Sequence, residues 1–417
     1  MKKITSKPFL FPFILVTSLF FFWGFVHNLD PILIPHLRKA FQLSDLESSL
    51  IDSAVFIAYF AMALPAGFIM RKYGYKSGIL IGLLLFGIGS VLFVPAADTL
   101  QYIYFLGALF IIACGLTFLE TAANPYITIL GPPETATQRL NFSQSFNGLA
   151  AFVAPTFIGP LILSGKQLSA QEMAAMSAVE MNAFITHEAS SVKMPYLILG
   201  IVILLVAVVF YFTKLPDIKD PETEITVAGS FAGALKSVRL KWGIVAQFFY
   251  VGAQVCVGSF FIKMSSSAAG LSETSAAIYL GFYGLAFMLG RFAGTFLMQY
   301  VAPRKLLTLY AIINICLCLL AIHGTGMIVV YALIGISFFM SIMFPTIFSL
   351  GIEGLAHNTK IGSSLIVMAI VGGALLPPIL GKISDATQSI QYGYYVPLLC
   401  FAVILLFSIK MNPDKIK

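Results

Sequence analysis

The sequence predicts an all-α polytopic membrane protein, with twelve transmembrane helices in two pseudo-symmetric six-helix bundles. Three observations carry that expectation. Of 417 residues, 59% are hydrophobic and only 10% charged, where a soluble domain carries about a quarter. Apolar runs of about 20 residues, the length that crosses a bilayer as helix, recur from end to end. The two halves also repeat each other's Gly and Pro interruptions, a mark of carriers built from internal repeats.

The first span is read as 9–37. Its opening, MKKITSK followed by FLFPFILVTSLFFFWGF, imitates a secretory leader. The apolar stretch is longer than a leader's core and no small-residue cleavage site follows, so it is read as a retained helix. Spans two and three, 50–70 and 77–96, flank the basic loop RKYGYK (71–76). Span four, 101–129, carries Asn124-Pro125, and span five, 141–164, carries FNGLAAFVAPTFIGPLI (146–162). Span six is 193–213. In the second half the spans are 242–264, 274–300, 305–323, 327–352, 360–383 and 391–410. There the loop APRKLL (302–307) answers RKYGYK, Phe344-Pro345 answers Asn124-Pro125, and VMAIVGGALLPPILGKI (367–383) answers the fifth span. Gly and Pro at such places let helices approach and bend.

Two connections are longer. Residues 165–192 are polar and rich in Met and Ala; residues 214–241 are the most charged stretch of the chain. The second divides an N-terminal bundle (1–213) from a C-terminal bundle (242–417). With the N-terminus placed in the cytoplasm, eighteen of the 25 Lys and Arg residues fall on the cytoplasmic side. Six (Arg38, Lys39, Lys166, Lys193, Lys263, Lys382) fall opposite, and Arg291 lies inside span eight. That bias favours both termini inside. The net charge of +7 therefore reports membrane topology, not nucleic-acid binding. Cys114, Cys256, Cys316, Cys318 and Cys400 all fall in apolar segments without metal or disulfide spacing.

The informative residues are the polar ones inside the spans. In FLETAANPYI (118–127) and the residue before it, Thr117, Glu120 and Asn124 form one polar stripe on an apolar helix. A charge near the bilayer centre costs a few kcal/mol even on lenient scales, so Glu120 must be protonated or partnered. It is expected to carry a proton; the competing reading is a structural hydrogen bond to a neighbouring helix. In WGFVHNLDPILIPHL (23–37), Trp23, His27 and Asp30 share a face, with Asn28 close by; the competing reading makes HNLDP interfacial. Span five opens with Asn141, Gln144, Ser145 and Gly148 on one stripe, and span seven aligns Gln247, Tyr250, Gln254 and Gly258. Amides both donate and accept without charge. With Trp23 and Tyr250 they suit a neutral polyhydroxylated ligand, though Asn and Gln also join helices to one another. His187 reads as solvated, Arg291 as a tie between span eight and a neighbour, and Glu353 as the partner of a loop cation.

Beyond these stripes, the chain resembles the major facilitator superfamily and, within it, the fucose–proton symporter family, which includes glucose/galactose transporters. The resemblance rests on NLDPILIPHL (28–37), PAGFIMRKYGYKSGILIGL (65–83), FLETAANPYITILGP (118–132), RLNFSQSFNG (139–148), FFYVGAQVCVGSF (248–260), SIMFPTIFSLGI (341–352) and VGGALLPPILGKISD (371–385), in order through both halves. It implies the major facilitator fold and proton coupling through Glu120 with a helix-one carboxylate. It also implies sugar binding at Asn28 and Gln144. Two departures stand out. RKYGYK lacks the aspartate usual in that loop. The family's helix-one aspartate falls at Pro31, so Asp30 is a shifted carboxylate, turned about 100° on an ideal helix.

The expected function is therefore proton-coupled import of a neutral monosaccharide, L-fucose or a related hexose, by alternating access. Proton coupling falls to Glu120 and Asp30. Sugar binding falls to Asn28, Trp23, Asn124, Asn141, Gln144, Gln247, Tyr250 and Gln254. The partners are sugar, proton and lipid bilayer, with no nucleic acid, metal or cofactor. The chain is expected to be a monomer in a bacterial inner membrane. Alternatives are a glucose/galactose or N-acetylhexosamine transporter of the same family and, from another substrate class, a drug/proton antiporter, against which the amide stripes argue. An enzyme would need a catalytic cluster. The five histidines (27, 36, 187, 323, 357) form no helical metal pair, and no large catalytic loop is present.

Overall fold

The structure, a computed structural model, describes residues 5, 7–29, 45–162, 176–216 and 231–411. Ten segments among them are long and apolar enough to cross a membrane. One of these, Ala54–Thr99, is two spans, because the helix Asp45–Val91 is broken at Gly74 (φ 83°, ψ 171°). Only glycine adopts that backbone readily. Its arms are α2 and α3, the latter extended by Phe93–Thr99. Ala136–Ile162, polar at its start, supplies the remaining span, α5. The others are α1 (Leu10–His27), α4 (Tyr102–Ile129), α6 (Lys193–Phe212), α7 (Val238–Ser259), α8 (Glu273–Leu297) and α9 (Pro303–His323). Three more complete the twelve: α10 (Met327–Met340 and Met343–Ile352), α11 (Thr359–Met368 and Gly372–Thr387) and α12 (Tyr395–Lys410).

Several boundaries differ from the sequence expectation for identifiable reasons. The helix α1 ends at His27 and Asn28–Leu29 form a turn; residues 30–37 of the expected first span lie outside the described residues. Pro31 disfavours helix at the residue before it and removes a backbone donor. Asp30 lies outside the described residues. α7 begins at Val238 rather than 242, because the Ser237 hydroxyl accepts from Leu240 N at 3.2 Å and caps it. The connection read as polar loop contains a helix, Ala178–Ser191, started by a capping box in which Ser177 and Glu180 bond each other's backbone.

Within the first half, α2 and α3 pack on α4, α3 packs on α6, and α1 packs on α5. Within the second, α7 packs on α10, α11 and α12, and α8 packs on α10. The halves meet along two seams: α11 against α2 and α4, and α8 with α10 against α5. Exchanging the halves converts the pair α2/α11 into α8/α5, as the repeat of Gly and Pro positions implies. The end at which α6 stops and α7 starts is here called the linker side.

Glycines set how close these helices come. An added Cβ on Gly67 of α2 would lie 1.9 Å from Ser364 Oγ of α11, and one on Gly243 of α7 would lie 2.9 Å from Gly351 Cα of α10. On the linker side Thr137 and Ser349 hydroxyls bond at 2.9 Å, Asn141 Nδ2 donates to Thr346 Oγ1 at 3.2 Å, and Lys360 lies 5.0 Å from the Tyr75 ring. Arg239 pairs with Glu353 at 2.8 Å, which is the loop cation expected for that carboxylate. Lys76 donates to the carbonyls of Tyr211 (2.7 Å) and Thr213 (2.9 Å), the open C-terminal carbonyls of α6.

The α2/α11 seam yields a test. Gly67→Leu overfills it at a cost of about 1–3 kcal/mol to this closed arrangement. A cysteine at position 137 in a cysteine-free background is expected to react with a membrane-impermeant maleimide, applied to inside-out vesicles, about tenfold faster in that variant. An unchanged rate would show that the glycine does not set the closure.

Candidate functional site

The α4 helix brings the stripe read from the sequence into the protein interior. Glu120 is buried at 9% exposure, and Thr117, Thr121 and Asn124 are wholly buried. Three of these polar side chains turn back on their own helix, Thr121 among them, its Oγ1 donating to Thr117 O at 2.6 Å. Thr117 Oγ1 donates to Ala113 O at 2.8 Å, and Asn124 Nδ2 donates to Glu120 O at 2.9 Å. The Glu120 carboxyl group does not. Tyr59 Oη, from α2, donates to Glu120 Oε1 at 2.7 Å. The acid is thus held by a neutral hydroxyl, not by a fixed cation. A buried acid in that arrangement can take up or give up a proton without breaking a salt bridge.

Around it the amides are chained. Gln144 Nε2 of α5 donates to Asn124 Oδ1 of α4 at 3.2 Å. Arg291 of α8, 4% exposed, donates through Nη1 to Gln144 O (2.6 Å), Gln144 Oε1 (3.2 Å) and Asn147 Oδ1 (3.4 Å). Its Nε donates to Ser341 O of α10 at 3.0 Å, and the Phe287 ring lies 4.6 Å from the guanidinium carbon. The guanidinium also acts electrostatically on Glu120 and Tyr250. Arg291 does tie α8 to a neighbour, as the sequence suggested. It ties it to two, and one belongs to the other half.

The expected site residues therefore divide. Glu120, Asn124, Gln144 and Tyr250 converge, with Tyr250 in edge contact with Phe344 at 6.2 Å. Trp23 is buried against Phe20, ring centroids 4.2 Å apart. Asn28 Nδ2 donates to Gly24 O at 2.6 Å in its own turn. Asn141 bonds Thr137 O and Thr346 on the linker side of the cluster. Gln247 is fully buried, with neither amide atom hydrogen-bonded. Gln254 is half-buried on α7. Tyr59, Asn147 and the cross-half reach of Arg291 were not anticipated. Asn147 was legible, since it falls one turn after Gln144. Tyr59 sits in an apolar run, AVFIAYFAMALP, where a tyrosine carries no signal. Among the described residues no group of three or more His, Cys, Asp or Glu could hold a metal.

Comparison with known proteins bears on this arrangement. Residues 13–378 match the family Major Facilitator Superfamily. The L-fucose-proton symporter of Escherichia coli strain K12 is 42% identical over 409 residues, covering 97% of this chain and 93% of that protein. A glucose/galactose transporter of Brucella abortus biovar 1 is 40% identical over 407 residues, covering 97% and 95%. The crystal structure of the transporter FucP in the outward conformation superposes with a TM-score of 0.91 at 41% identity, over 97% of this chain and 99% of that one.

The Tyr59–Glu120 contact can be checked directly. Leaving a buried acceptor without its donor costs about 1–3 kcal/mol. Tyr59→Phe is expected to lower the thermal midpoint of the detergent-purified protein by several degrees, and to do so less when Glu120→Gln is already present. Equal losses in the two backgrounds would mean that the phenol acts elsewhere.

Proposed function

The chain belongs to the Major Facilitator Superfamily, and from that premise we propose that it is a proton-coupled sugar symporter. It imports a neutral monosaccharide, L-fucose first, by alternating access across a bacterial inner membrane. The observation that carries this reading is the placement of Glu120: buried, bonded to a phenol and set among amides. The relatives named for L-fucose–proton symport and for glucose/galactose transport match at similar identity, so glucose or galactose is the second reading.

In this reading the linker side is the cytoplasm, consistent with the bias of Lys and Arg, and both termini lie there. The bundles 1–213 and 242–417 rock about the central site, joined by 214–241, and the chain works as a monomer. Closure by Thr137–Ser349, Asn141–Thr346 and Gly67–Ser364 on the linker side supports reading this as the outward state, the conformation named for the FucP crystal structure. Protonation neutralises Glu120, and Asp30 is assigned as the acid nearer the outer mouth that feeds it. The sugar then binds among Asn28, Trp23, Asn124, Gln144, Tyr250 and Gln254. Amides meet its hydroxyls and rings meet its C–H face. Asn141, which makes one of the closing contacts, and Gln247 are assigned to the path the sugar takes once the contacts part. Coupling requires that proton and sugar each raise the other's affinity by the same factor.

In proteoliposomes, Glu120→Gln is expected to abolish accumulation of sugar against its gradient while leaving counterflow exchange in place, because exchange needs no proton release. Full accumulation in this variant would remove Glu120 from the coupling role. Counterflow competition among L-fucose, D-galactose, D-glucose, L-arabinose and N-acetylglucosamine ranks the substrates. L-Fucose is expected to compete best; preference for glucose or galactose would select the second reading.

A further inference from the structure

The transport cycle above leaves Arg291 without a part, yet it makes the most connected polar contact between the halves. A guanidinium can only donate hydrogen bonds. It therefore dictates which way round the neighbouring amides stand. Gln144 must turn Oε1 toward Arg291, which leaves Nε2 to donate to Asn124 Oδ1 at 3.2 Å. Asn124 in turn has its Nδ2 on the Glu120 carbonyl at 2.9 Å. Asn147 likewise gives Oδ1 to Arg291, and its Nδ2 points at α1, where a Cβ added to Gly24 would lie 2.7 Å away. The donor and acceptor pattern along α4 and α5 is thus imposed by a cation on the other bundle.

We propose that Arg291 is the positioning residue that orders these amides for sugar only while Glu120 is protonated. The proposal rests on Glu120 being the proton carrier. Arg291 bonds to an ionised carboxylate are stronger than its bonds to amide oxygens. Loss of the proton from Glu120 draws the guanidinium off Gln144 and Asn147, frees both amides to turn, and loosens the α5/α8 tie. Sugar affinity then falls with the proton gone, which is the sign that symport needs. Among the described residues, the other ionisable groups facing this pair are Tyr59 from α2 and Tyr250 from α7, while α5 and α10 present Gln144 with Asn147, and Ser341.

The experiment is sugar binding to the purified full-length protein, using the sugar that wins the counterflow competition, at acid and at alkaline pH. The wild type, Glu120→Gln, Arg291→Gln, Arg291→Lys and the Glu120→Gln/Arg291→Gln double variant are compared. The wild type is expected to bind more weakly at alkaline pH, and Glu120→Gln to bind equally at both. Arg291→Gln is expected to bind about tenfold more weakly at acid pH, the scale of a hydrogen bond to a charged group. It should lose most of the pH response, and the double variant should match it. Arg291→Lys keeps the charge but not the planar fork, so it should retain the pH response at reduced affinity. A wild-type pH response in Arg291→Gln overturns the proposal, as does additive loss in the double variant. Should Arg291→Gln not fold, wild-type affinity in Arg291→Lys overturns it. A wild-type pH response in Glu120→Gln instead overturns the proton-carrier assignment, whatever the Arg291 variants do.

Discussion

A carboxylic acid buried in a membrane protein is the constraint from which the rest of this structure follows. Unpartnered and ionised, Glu120 would cost several kcal/mol in surroundings of low polarity. Pairing it with a fixed cation would relieve that cost and, on the proposed reading of Glu120 as a proton carrier, end its usefulness, because a permanent ion pair does not trade protons. The chain takes a third course. One oxygen is held by Tyr59, and the nearby cation Arg291 is committed to the carbonyl and amide oxygens of α5 and to Ser341. The acid is oriented without being locked.

That course needs helices that approach closely without apolar bulk between them. Gly24 lets α1 reach Asn147, Gly148 faces Arg291 Cδ at 3.4 Å for a hypothetical Cβ, and Gly67 and Gly290 admit Ser364 and the Phe338 carbonyl. In a bilayer, helix association draws on packing and interhelical hydrogen bonds, since lipid is as apolar as the side chains it would replace. Small residues at the seams and polar residues at the centre therefore belong to one design. The glycines bring backbones together, and the amides satisfy one another in the space that remains.

How much of this the sequence discloses depends on whether the signal is local. The span count is legible because hydrocarbon thickness fixes helix length, and the break between α2 and α3 is marked by Gly74 in a basic loop. Glu120, Asn124 and Gln144 are legible because polarity inside an apolar run is costly and needs a reason. The helix Ala178–Ser191 was announced by Ser177 and Glu180 at capping-box spacing, a signal hidden by attention to composition. Tyr59 and the reach of Arg291 were not legible. Their meaning lies in partners 61 and 147 residues away: Tyr59 is ordinary in its own helix, and the charge of Arg291 inside a span calls for a partner without naming it.

The distribution of partners between the halves has a consequence for mechanism. Tyr59 and Glu120 both belong to the first bundle, so rigid-body rocking leaves their bond intact and gives it no power to distinguish one state from the other. A ligand shifts a conformational equilibrium only by the difference in its interaction between the two states. On the proposed reading of Glu120 as the proton carrier, its proton acts through something that crosses the seam. Arg291, anchored to Ser341 on its own side and to Gln144 and Asn147 on the other, makes such a crossing within electrostatic reach of Glu120. Hydroxyl contacts such as Thr137–Ser349 cross as well, but they carry no charge and lie toward the linker side. They can hold the halves shut; they cannot report whether the acid is ionised.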